Sequence, residues 1–451
     1  MEIRRRPRRG DRSAPTVDPA RSERGAALIA VLAMMTSVLL VGMAIFSLGI
    51  SETELVEAGV DGAQAFYLAE AGIDRAVAWL NEHAAESSYP SDAVIEDEPL
   101  GEGTYSVTLT NTGTSDPWFT RYDVVSTGTV GGVSRRVRAE IRIQAFSRYL
   151  YFTHNMPANV EFTTNERFDG PVHSNGWIRI DGDPWFTEPV STTKQSLKMS
   201  QWSEPTFEKG YVLSADKIGY PSGGSVSSSY SVMAQEEGVY GGKLNGSNAL
   251  YELEFGRNGM TGYVSYRAYR RVGGSYQWSS WIDLAIEDTG GLIWAEEPLW
   301  MSGILDGQVT VGGRQNIYVS DDLLYADSDE EGPADGCDDM LGIISKKNVI
   351  IADTSANRDN CVIHASIMAL GKSLLCENVW AGPPRGDLTI HGSVVQKKCG
   401  RVGIVGAPGS IIRGYRRDYH HDPRLIGGAA PWFPQTGSYF ISSWKEDKDV
   451  S

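Results

Sequence analysis

The chain has 451 residues and a formal net charge of −16, and its 50 glycines, 12 tryptophans and 20 tyrosines favour a turn-rich β protein over a disordered one. This length leaves room for two or three domains. The first 25 residues carry eight arginines against four acids, and the remainder has 33 basic against 53 acidic residues. Because phosphate contacts need clustered Lys and Arg, the composition excludes nucleic acid from the expected partners.

An uncharged apolar run at 26–50 follows a basic leader at 1–25. At about 1.5 Å per residue, a helix of this length crosses a roughly 30 Å hydrocarbon layer. The positive-inside rule keeps the arginine-rich end in the cytoplasm, so the rest of the chain is predicted to be extracytoplasmic. The apolar region of a cleaved secretory signal is shorter, ~7 to 15 residues, which favours a membrane-spanning helix here.

The helical pattern continues beyond the apolar run. Apolar or small residues recur with a period close to 3.6 at Leu55, Gly59, Gly62, Phe66, Ile73, Val77 and Leu80. One continuous rod is therefore predicted from Ala26 to about His83, roughly 85 Å long.

The order of these features resembles the N-terminus of a known family. A basic leader ends at Gly25, and an apolar helix beginning at Ala26 passes into AFYLAEAGIDRAVAWL at 65–80. This combination resembles the minor pilins of type IV pili, in particular the PilX-like group. Most pilins have glutamate at the fifth mature position, where this chain has Ala30, and that difference argues against a major repeating subunit.

The resemblance implies a set of partners for the N-terminus. A prepilin peptidase would cut between Gly25 and Ala26 and methylate the new N-terminus. The helix would then lie in membrane lipid before it packs against other pilins in a filament. The positions that the resemblance implies for this packing are Ala30, Leu39, Gly42 and Phe46.

Three alternating segments after the helix predict a small antiparallel sheet. They are TYSVTL at 104–109, RYDVVSTGTV at 121–130 and VSRRVRAEIRI at 133–143. Gly131-Gly132, between the last two, is a hairpin signal. Residues 26–146 are therefore predicted to form an α+β module, a long helix on an antiparallel sheet, and its strands resemble those of a pilin head.

Residues 147–299 are rich in aromatic residues and in turn signals such as Asn-Gly. They are predicted to be a β-rich region, in which the polar segment from Ser191 to Ser231 is a long loop or insertion. Two interpretations apply to the tryptophans of this region, a sugar-stacking platform or packing across strands, and packing is favoured. These residues are Trp177, Trp185, Trp202, Trp278 and Trp281.

Residues 300–451 contain short β-prone runs between Gly and Asn turns. VIHASIM at 362–368 and TIHGSVV at 389–395 repeat 27 residues apart. This pattern predicts a mostly-β region, a right-handed parallel β-helix, with the C-terminal tail as a cap. The motifs DGPVHSNG, IHASIMALG and GPPRGDLTIHGSVVQK resemble a β-helical region found after PilX-like N-termini in pilus-associated bacterial proteins.

The four cysteines have no CxxC spacing, which argues against a zinc site. One or two disulfides and free buried thiols are equally expected, and three full pairings stay open. The cysteines are Cys337, Cys361, Cys376 and Cys399.

The acidic run at 321–339 has two interpretations. Its carboxylates could hold a hard cation such as calcium. It lacks the ligand spacing of an EF-hand loop, which favours a solvated acidic loop. No metal and no cofactor are expected.

Histidines near serines are the first catalytic candidates, because a Ser-His-Asp hydrolase needs such neighbours. They are His173, His364 and His391. Equivalent residues on successive coils of a β-helix also stack as a ladder, and this structural explanation is favoured. A polysaccharide-cleaving enzyme could instead use acid–base partners among Asp169, Asp181, His420, His421 and Asp422. Nothing in the spacing brings these groups together, so no enzyme activity is predicted.

The sequence thus predicts a minor pilin-like subunit of a type IV pilus or related filament. It would lie in the inner (cytoplasmic) membrane and display an extracytoplasmic β-rich head at the pilus or cell surface, for assembly or adhesion. One alternative is a membrane-anchored surface protein that binds a glycan or another surface ligand. A β-helical polysaccharide-cleaving enzyme is a more distant alternative.

Overall fold

Two regions make up the described part of the protein, a long helix on a small sheet and a larger set of stacked strands. The computed structural model describes residues 19–83, 93–112, 121–221, 223–236, 239–240, 248–259, 261–329, 332–406 and 410–447. Of the predicted leader, residues 1–18 lie outside these ranges, and residues 19–25 are described by their backbone alone.

The first element, α1, runs without interruption from Pro19 to His83, and its 65 residues span about 97 Å. Residues 26–60 are all exposed. Within this apolar part, the Thr36 and Ser37 hydroxyls donate to backbone carbonyls of the preceding turn, which satisfies both groups without water. The predicted single rod is confirmed.

Four antiparallel strands follow α1, and the strands that the alternating segments predict are confirmed among them. They are β1 (Ala93–Leu100), β2 (Gly103–Asn111), β3 (Arg121–Val130) and β4 (Val133–Ala145). The predicted hairpin lies between β3 and β4, where Gly131 and Gly132 have φ values of 56° and 84°. Glycine adopts these left-handed values without the steric cost that a Cβ brings.

Short strands, preceded by a 3-10 helix at Phe146–Arg148, make up residues 151–212, named here the early stack. They are β5 (Tyr151–Asn155), β6 (Phe162–Thr163), β7 (Arg167–Asp169), β8 (Val172–Ser174), β9 (Arg179–Asp181), β10 (Trp185–Phe186), β11 (Val190–Thr192), β12 (Lys198–Met199), β13 (Thr206–Phe207) and β14 (Tyr211–Val212).

A second helix, α2 (Gly223–Glu236), follows the early stack. The prediction of a long loop from Ser191 to Ser231 is wrong, because β12, β13 and β14 lie within this segment and α2 begins before its end. Glycine and serine have weak helical propensity, but Tyr230 and Ala234 lie four residues apart and are fully buried on one helix face. Packing of Tyr230 on Trp294, with ring centroids 5.8 Å apart, favours the helix over the loop.

Nineteen strands among the described residues follow α2. All but the last of them lie in residues 239–421, which are named here the late stack. The strands are β15 (Val239–Tyr240), β16 (Asn248–Asn258), β17 (Thr261–Val272), β18 (Ser275–Trp278), β19 (Ile282–Ala285), β20 (Leu292–Ala295), β21 (Leu299–Leu305), β22 (Gln308–Gly313), β23 (Ile317–Tyr325), β24 (Ser328–Asp329), β25 (Gly332–Pro333), β26 (Met340–Ser345), β27 (Val349–Ile351), β28 (Cys361–Ala369), β29 (Leu374–Cys376), β30 (Pro384–Lys398), β31 (Gly403–Val405), β32 (Ile411–His421) and β33 (Gln435–Asp447). Three 3-10 helices lie among them, at Ile286–Thr289, Ala356–Arg358 and Pro423–Ile426.

The last strand returns to the first sheet. β33 pairs antiparallel with β4, which gives a five-stranded sheet in the order β1-β2-β3-β4-β33. The Phe146 amide donates to the Pro434 carbonyl at 3.1 Å, so the chain leaves this sheet and re-enters it at adjacent points. Residues 146–434 are therefore an insertion between two neighbouring strands. We call α1 with these five strands the helix-and-sheet module.

One face of α1 packs on this sheet very closely. The buried residues of that face are Ala65, Leu68, Ala69, Ile73, Ala76 and Leu80. A Cβ added to Gly128 on β3 would lie 2.1 Å from the Ala65 carbonyl oxygen, so only glycine fits there. At the end of the helix, the Asn81 side-chain oxygen accepts the amide hydrogen of Tyr439 on β33 at 2.7 Å. The last strand thus contacts both the sheet and the helix.

Most of the inserted strands pair in parallel, one above another. Antiparallel pairs join β17 to β16, β18 and β19, β24 to β25, and β31 to β32. One run of parallel pairs joins ten strands in the order β13-β10-β7-β32-β30-β28-β26-β22-β20-β15. This order is not the chain order. The early stack begins beside β32 in the middle of this order and reaches one end of it at β13. After α2 the chain begins again at the other end, at β15, and the late stack leads back to β32. The two stacks meet where β7 pairs with β32 and β5 pairs with β30, which we call the seam.

Candidate functional site

The exposed part of α1 is the first candidate site. Among the described residues, α1 is the single helix long and apolar enough to cross a membrane, and its most apolar stretch has no buried residue. Leu39 and Phe46 are 62% and 72% exposed. At about 100° per residue, Leu39, Gly42 and Phe46 share one face, and Ala30 lies about half a turn away. The predicted packing positions therefore occupy two faces.

The predicted processing site lies within the backbone of α1. Gly25 and Ala26 are both helical, and Ala26 is the first residue of α1 whose exposed side chain is described. Cleavage between them stays a prediction. A cut there would leave the new N-terminus at the start of the exposed apolar helix.

The candidate histidines do not all lie together. His364, His391 and His420 occupy equivalent positions on β28, β30 and β32, with ring centroids 5.1 and 5.0 Å apart. His173 lies instead on β8, where its ring stacks on Phe152 at 5.4 Å and its Nδ1 is 2.8 Å from Ser191 Oγ. The ladder explanation therefore holds for His364 and His391. The sequence missed His420 as the third member, because its strand has no H-x-S motif.

His420 is the end of this ladder that lies at the seam. Its Nε2 is 3.2 Å from Asp418 Oδ1, and its Nδ1 is 3.7 Å from Asp169 Oδ2 on β7. The hydrogen bond with Asp418 raises the pKa of His420, and the Asp169 carboxylate adds to this effect. Burial instead lowers the pKa of His173 and of His421. His420 is thus the histidine in this group whose charged form the fold favours.

The other predicted acid–base candidates have structural partners. Asp422 caps the 3-10 helix Pro423–Ile426 by accepting the Arg424 amide hydrogen, and it also pairs with the Arg424 guanidinium at 2.6 Å. The His421 ring lies 3.0 Å from the Ser147 carbonyl oxygen. Asp181 ends β9 and lines a cleft whose lining includes none of His420, His421 and Asp422.

Carboxylates of the acidic run hold loops of the late stack. Asp339 accepts the amide hydrogens of Gly307 and Asp327, and Asp322 accepts that of Val362 at 2.7 Å. In the part of the chain that the structure describes, no three His, Cys, Asp or Glu side chains are grouped to hold a metal ion.

All four cysteines are free and buried. Burial raises the pKa of each thiol, to about 11 for Cys376. The Cys399 sulfur lies 2.7 Å from the Tyr151 hydroxyl inside the stack. These thiols are core residues, protonated at neutral pH.

A cleft of about 790 Å³ opens beside the seam. Its walls come from the early stack, with Trp202 and Asp183, and from loops of the late stack, with Trp380 and Arg401. The Arg401 guanidinium lies 4.6 Å from the centre of the Trp380 ring and donates to the Asn159 carbonyl across the cleft.

A buried ion pair forms the floor of the cleft. Arg417 Nε donates to Glu166 Oε1 at 2.6 Å, and the two side chains are 8% and 4% exposed. Burial raises the pKa of Glu166, and the Arg417 charge opposes that shift. Arg417 Nη2 donates to the Glu161 carbonyl, whereas its Nη1 has no hydrogen-bond partner among the described residues. Arg417 thus joins β32 of the late stack to the early stack.

The tryptophans predicted to form a platform are separated in the structure. Trp278 and Trp281 flank Arg267 at 4.4 Å each, and Trp185 lies beside Arg167. Trp202 is the member of the predicted group that lines the cleft. Trp380, which lines the same cleft, was missed, because the two residues are 178 positions apart in the sequence and only the stacking order of the strands brings them to one cleft.

Comparisons with known proteins leave the family open. A family described as a domain of unknown function (DUF4900) matches residues 107–194, a segment that runs from β2 into the early stack. No curated protein matches the chain. Among solved structures, the chain is similar to the competence-associated pilin ComZ from Thermus thermophilus, with 12% sequence identity and a TM-score of 0.34, over 86% of this chain and 97% of that chain. Similarity at this level carries no argument about function.

Proposed function

We propose that the protein is a minor pilin-like structural subunit of a type IV pilus or a related filament. In this role α1 anchors the chain in the inner membrane until assembly, and the β-rich head is displayed outside. The proposal rests on the observation that α1 is divided into two parts with different surroundings. Its first part is apolar and exposed, and its second part is buried on a sheet that the last strand of the chain completes.

This division supports a subunit that changes its surroundings without refolding. The exposed apolar residues need either lipid or other apolar helices, because water disfavours so long an apolar surface. The rigid packing of residues 65–80 keeps the head attached in both surroundings. The partners proposed for the N-terminus are a prepilin peptidase acting between Gly25 and Ala26, membrane lipid, and the helices of other pilins.

The finer fold is part of the proposal. The unbroken run of parallel pairs and the His364–His391–His420 ladder support a parallel β-helix, inserted in two pieces into a PilX-like head. We propose the right-handed form. The role includes no catalytic step and no cofactor, and purified protein is expected to release no oligosaccharide from polysaccharides.

Filament fractionation tests the proposal. The full chain would be produced in a host that assembles type IV pili, alongside Gly25→Leu and a control, Gly10→Leu, which changes the other leader glycine. Wild type and Gly10→Leu are expected in sheared filaments, and Gly25→Leu is expected to stay in the membrane fraction. Equal recovery of Gly25→Leu in filaments, or retention of all three proteins in the membrane, would contradict the proposal.

A membrane-anchored glycan-binding protein is the second candidate, and the cleft with Trp202 and Trp380 favours it. This candidate predicts that all three proteins stay in the membrane fraction and still bind glycan. Filament recovery therefore separates the two functions.

A further inference from the structure

The cleft at the seam has the features of a built binding site. It is formed by two parts of the chain that are far apart in sequence. The buried ion pair between Arg417 and Glu166, at the floor of the cleft, joins those two parts. A volume of about 790 Å³ is that of a site for a ligand of several rings.

Two tryptophans are left exposed at this cleft. Trp202 is 81% exposed and Trp380 is 63% exposed, although each ring loses favourable free energy by facing water. The Arg401 guanidinium lies over the Trp380 ring, so that side chain is already oriented before any ligand binds. Exposed, oriented aromatic faces are surfaces on which the C–H faces of sugar rings stack.

Hydrogen bonds hold the polar wall in place between these rings. The Thr164 hydroxyl accepts the Asp183 amide hydrogen at 3.2 Å, and Asp183 Oδ1 accepts the amide hydrogen of Glu204 at 2.7 Å. Fixed hydroxyl and carboxylate oxygens accept hydrogen bonds from sugar hydroxyls, and they set the orientation of a ring that tryptophan holds by its face.

The charge of the lining limits the sugars that fit. The acidic residues are Glu161, Glu166, Asp181 and Asp183, and the basic residues are Arg401 and Arg417. Glu166 and Arg417 neutralise each other. The remaining charged groups of the lining are three carboxylates and the guanidinium of Arg401, so the lining is negatively charged overall. An acidic polysaccharide would bring further negative charge into this cleft and is disfavoured.

We propose that the cleft bounded by Trp202 and Trp380 binds a glycan built from neutral or amino sugars. The inference deepens the proposed function, since it gives the displayed head an adhesive role. Both tryptophans contact the ligand, and the carboxylates of the wall accept its hydroxyl or ammonium hydrogens.

Binding to defined glycans tests this inference. The full chain in detergent would be titrated with hexamers of N-acetylglucosamine, glucosamine and glucose, and with oligogalacturonate as the acidic probe. Binding of at least one of the first three hexamers, and weaker or no binding of oligogalacturonate, is expected. Trp202→Ala and Trp380→Ala should each weaken binding at least about fivefold, since stacking on one aromatic ring contributes on the order of 1 kcal/mol or more.

Trp185→Ala is the matched control, because Trp185 is 44% exposed on the early stack and outside the cleft lining. Its affinity should stay within about twofold of wild type. Equal losses in all three variants, preference for oligogalacturonate, or no binding of any neutral or amino hexamer would overturn the inference. Thermal unfolding of each variant checks its fold. Filament recovery is measured separately, so failure of glycan binding leaves the proposed function standing, and the reverse also holds.

Discussion

The helix-and-sheet module and the inserted stacks bury apolar residues in different ways. In the module, one face of one helix covers one face of one sheet, and the contacts follow from local periodicity. In the stacks, one apolar core extends along the paired strands, and strands more than 200 residues apart in sequence, such as β7 and β32, are direct neighbours. The module is therefore organised locally, whereas the stacks depend on a few long-range contacts at the seam.

This difference indicates where each region is vulnerable. In the module, substitutions at exposed positions are expected to have small effects. Between α1 and β3 there is no space for a larger side chain at Gly128. The stacks have a continuous core and a single junction between two halves, which Arg417 and Glu166 hold together. Substitutions at the seam and between α1 and β3 are therefore expected to cost more stability than substitutions at exposed ion pairs.

Replacing Arg417 should have the largest effect. Arg417→Met leaves the Glu166 carboxylate buried without its partner, and breaking such a pair costs on the order of 3–5 kcal/mol. Hydrogen exchange is expected to show loss of protection at the seam, with protection of α1 and β3 retained. Thermal unfolding gives the size of the change.

Arg416→Met is the matched control. Arg416 pairs with Asp387 at 2.6 Å, but the two side chains are 43% and 32% exposed, so a loss below about 1 kcal/mol is expected. Equal losses for the two neighbouring arginines would show that the buried pair does not hold the seam.

Replacing Gly128 should have the next largest effect, in the other region. The new methyl group of Gly128→Ala would meet the Ala65 carbonyl oxygen, and overpacking of this kind costs about 1–3 kcal/mol. Denaturant unfolding should show a lower free energy of unfolding for the variant. Hydrogen exchange should show that the protection is lost in the helix-and-sheet module. Gly59→Ala, at a helical position with no atom within 4 Å, should instead be neutral or stabilise by up to about 1 kcal/mol. A harmless Gly128→Ala would mean that helix and sheet are not in close contact.

His420 should make the seam sensitive to pH. Because its pKa is raised in the folded state, its contribution to stability is complete below the unfolded pKa of about 6.5 and is lost as the pH rises through the folded pKa. The difference in unfolding free energy between wild type and His420→Gln should therefore be larger near pH 6 than near pH 8. His173 and His421 contribute equally to both proteins, so the difference isolates His420. A difference that grows as the pH rises would refute this assignment.

The smallest effect is expected at the edge of the module. Arg138 pairs with Asp447 of β33 at 2.8 Å, and the arginine side chain is 49% exposed. Arg138→Ala should cost less than about 1 kcal/mol, and high salt should remove most of the difference. A loss comparable to that of Arg417→Met would mean that ion pairs, more than backbone pairing, attach β33 to the sheet.

The sequence predicts the locally organised region well. The alternation at 121–130 gives the observed bounds of β3, and the apolar period gives α1 up to His83. The sequence does not show that β33 completes the sheet, because backbone pairing leaves no local pattern to match. The stacking order of the strands cannot be predicted for the same reason. The sequence therefore does not show that Trp202 and Trp380 line the same cleft. The ladder is partly visible, since His364 and His391 repeat in similar motifs and His420 does not.

The mature N-terminus of the protein from its native membrane distinguishes a filament subunit from a membrane-tethered protein. Mass spectrometry of the intact protein and of its N-terminal peptide would identify the first residue. The account predicts a chain that begins at Ala26 with a methylated amino group. A chain that retains the arginine-rich leader would contradict it, and would leave a tethered β-rich protein in place of a filament subunit.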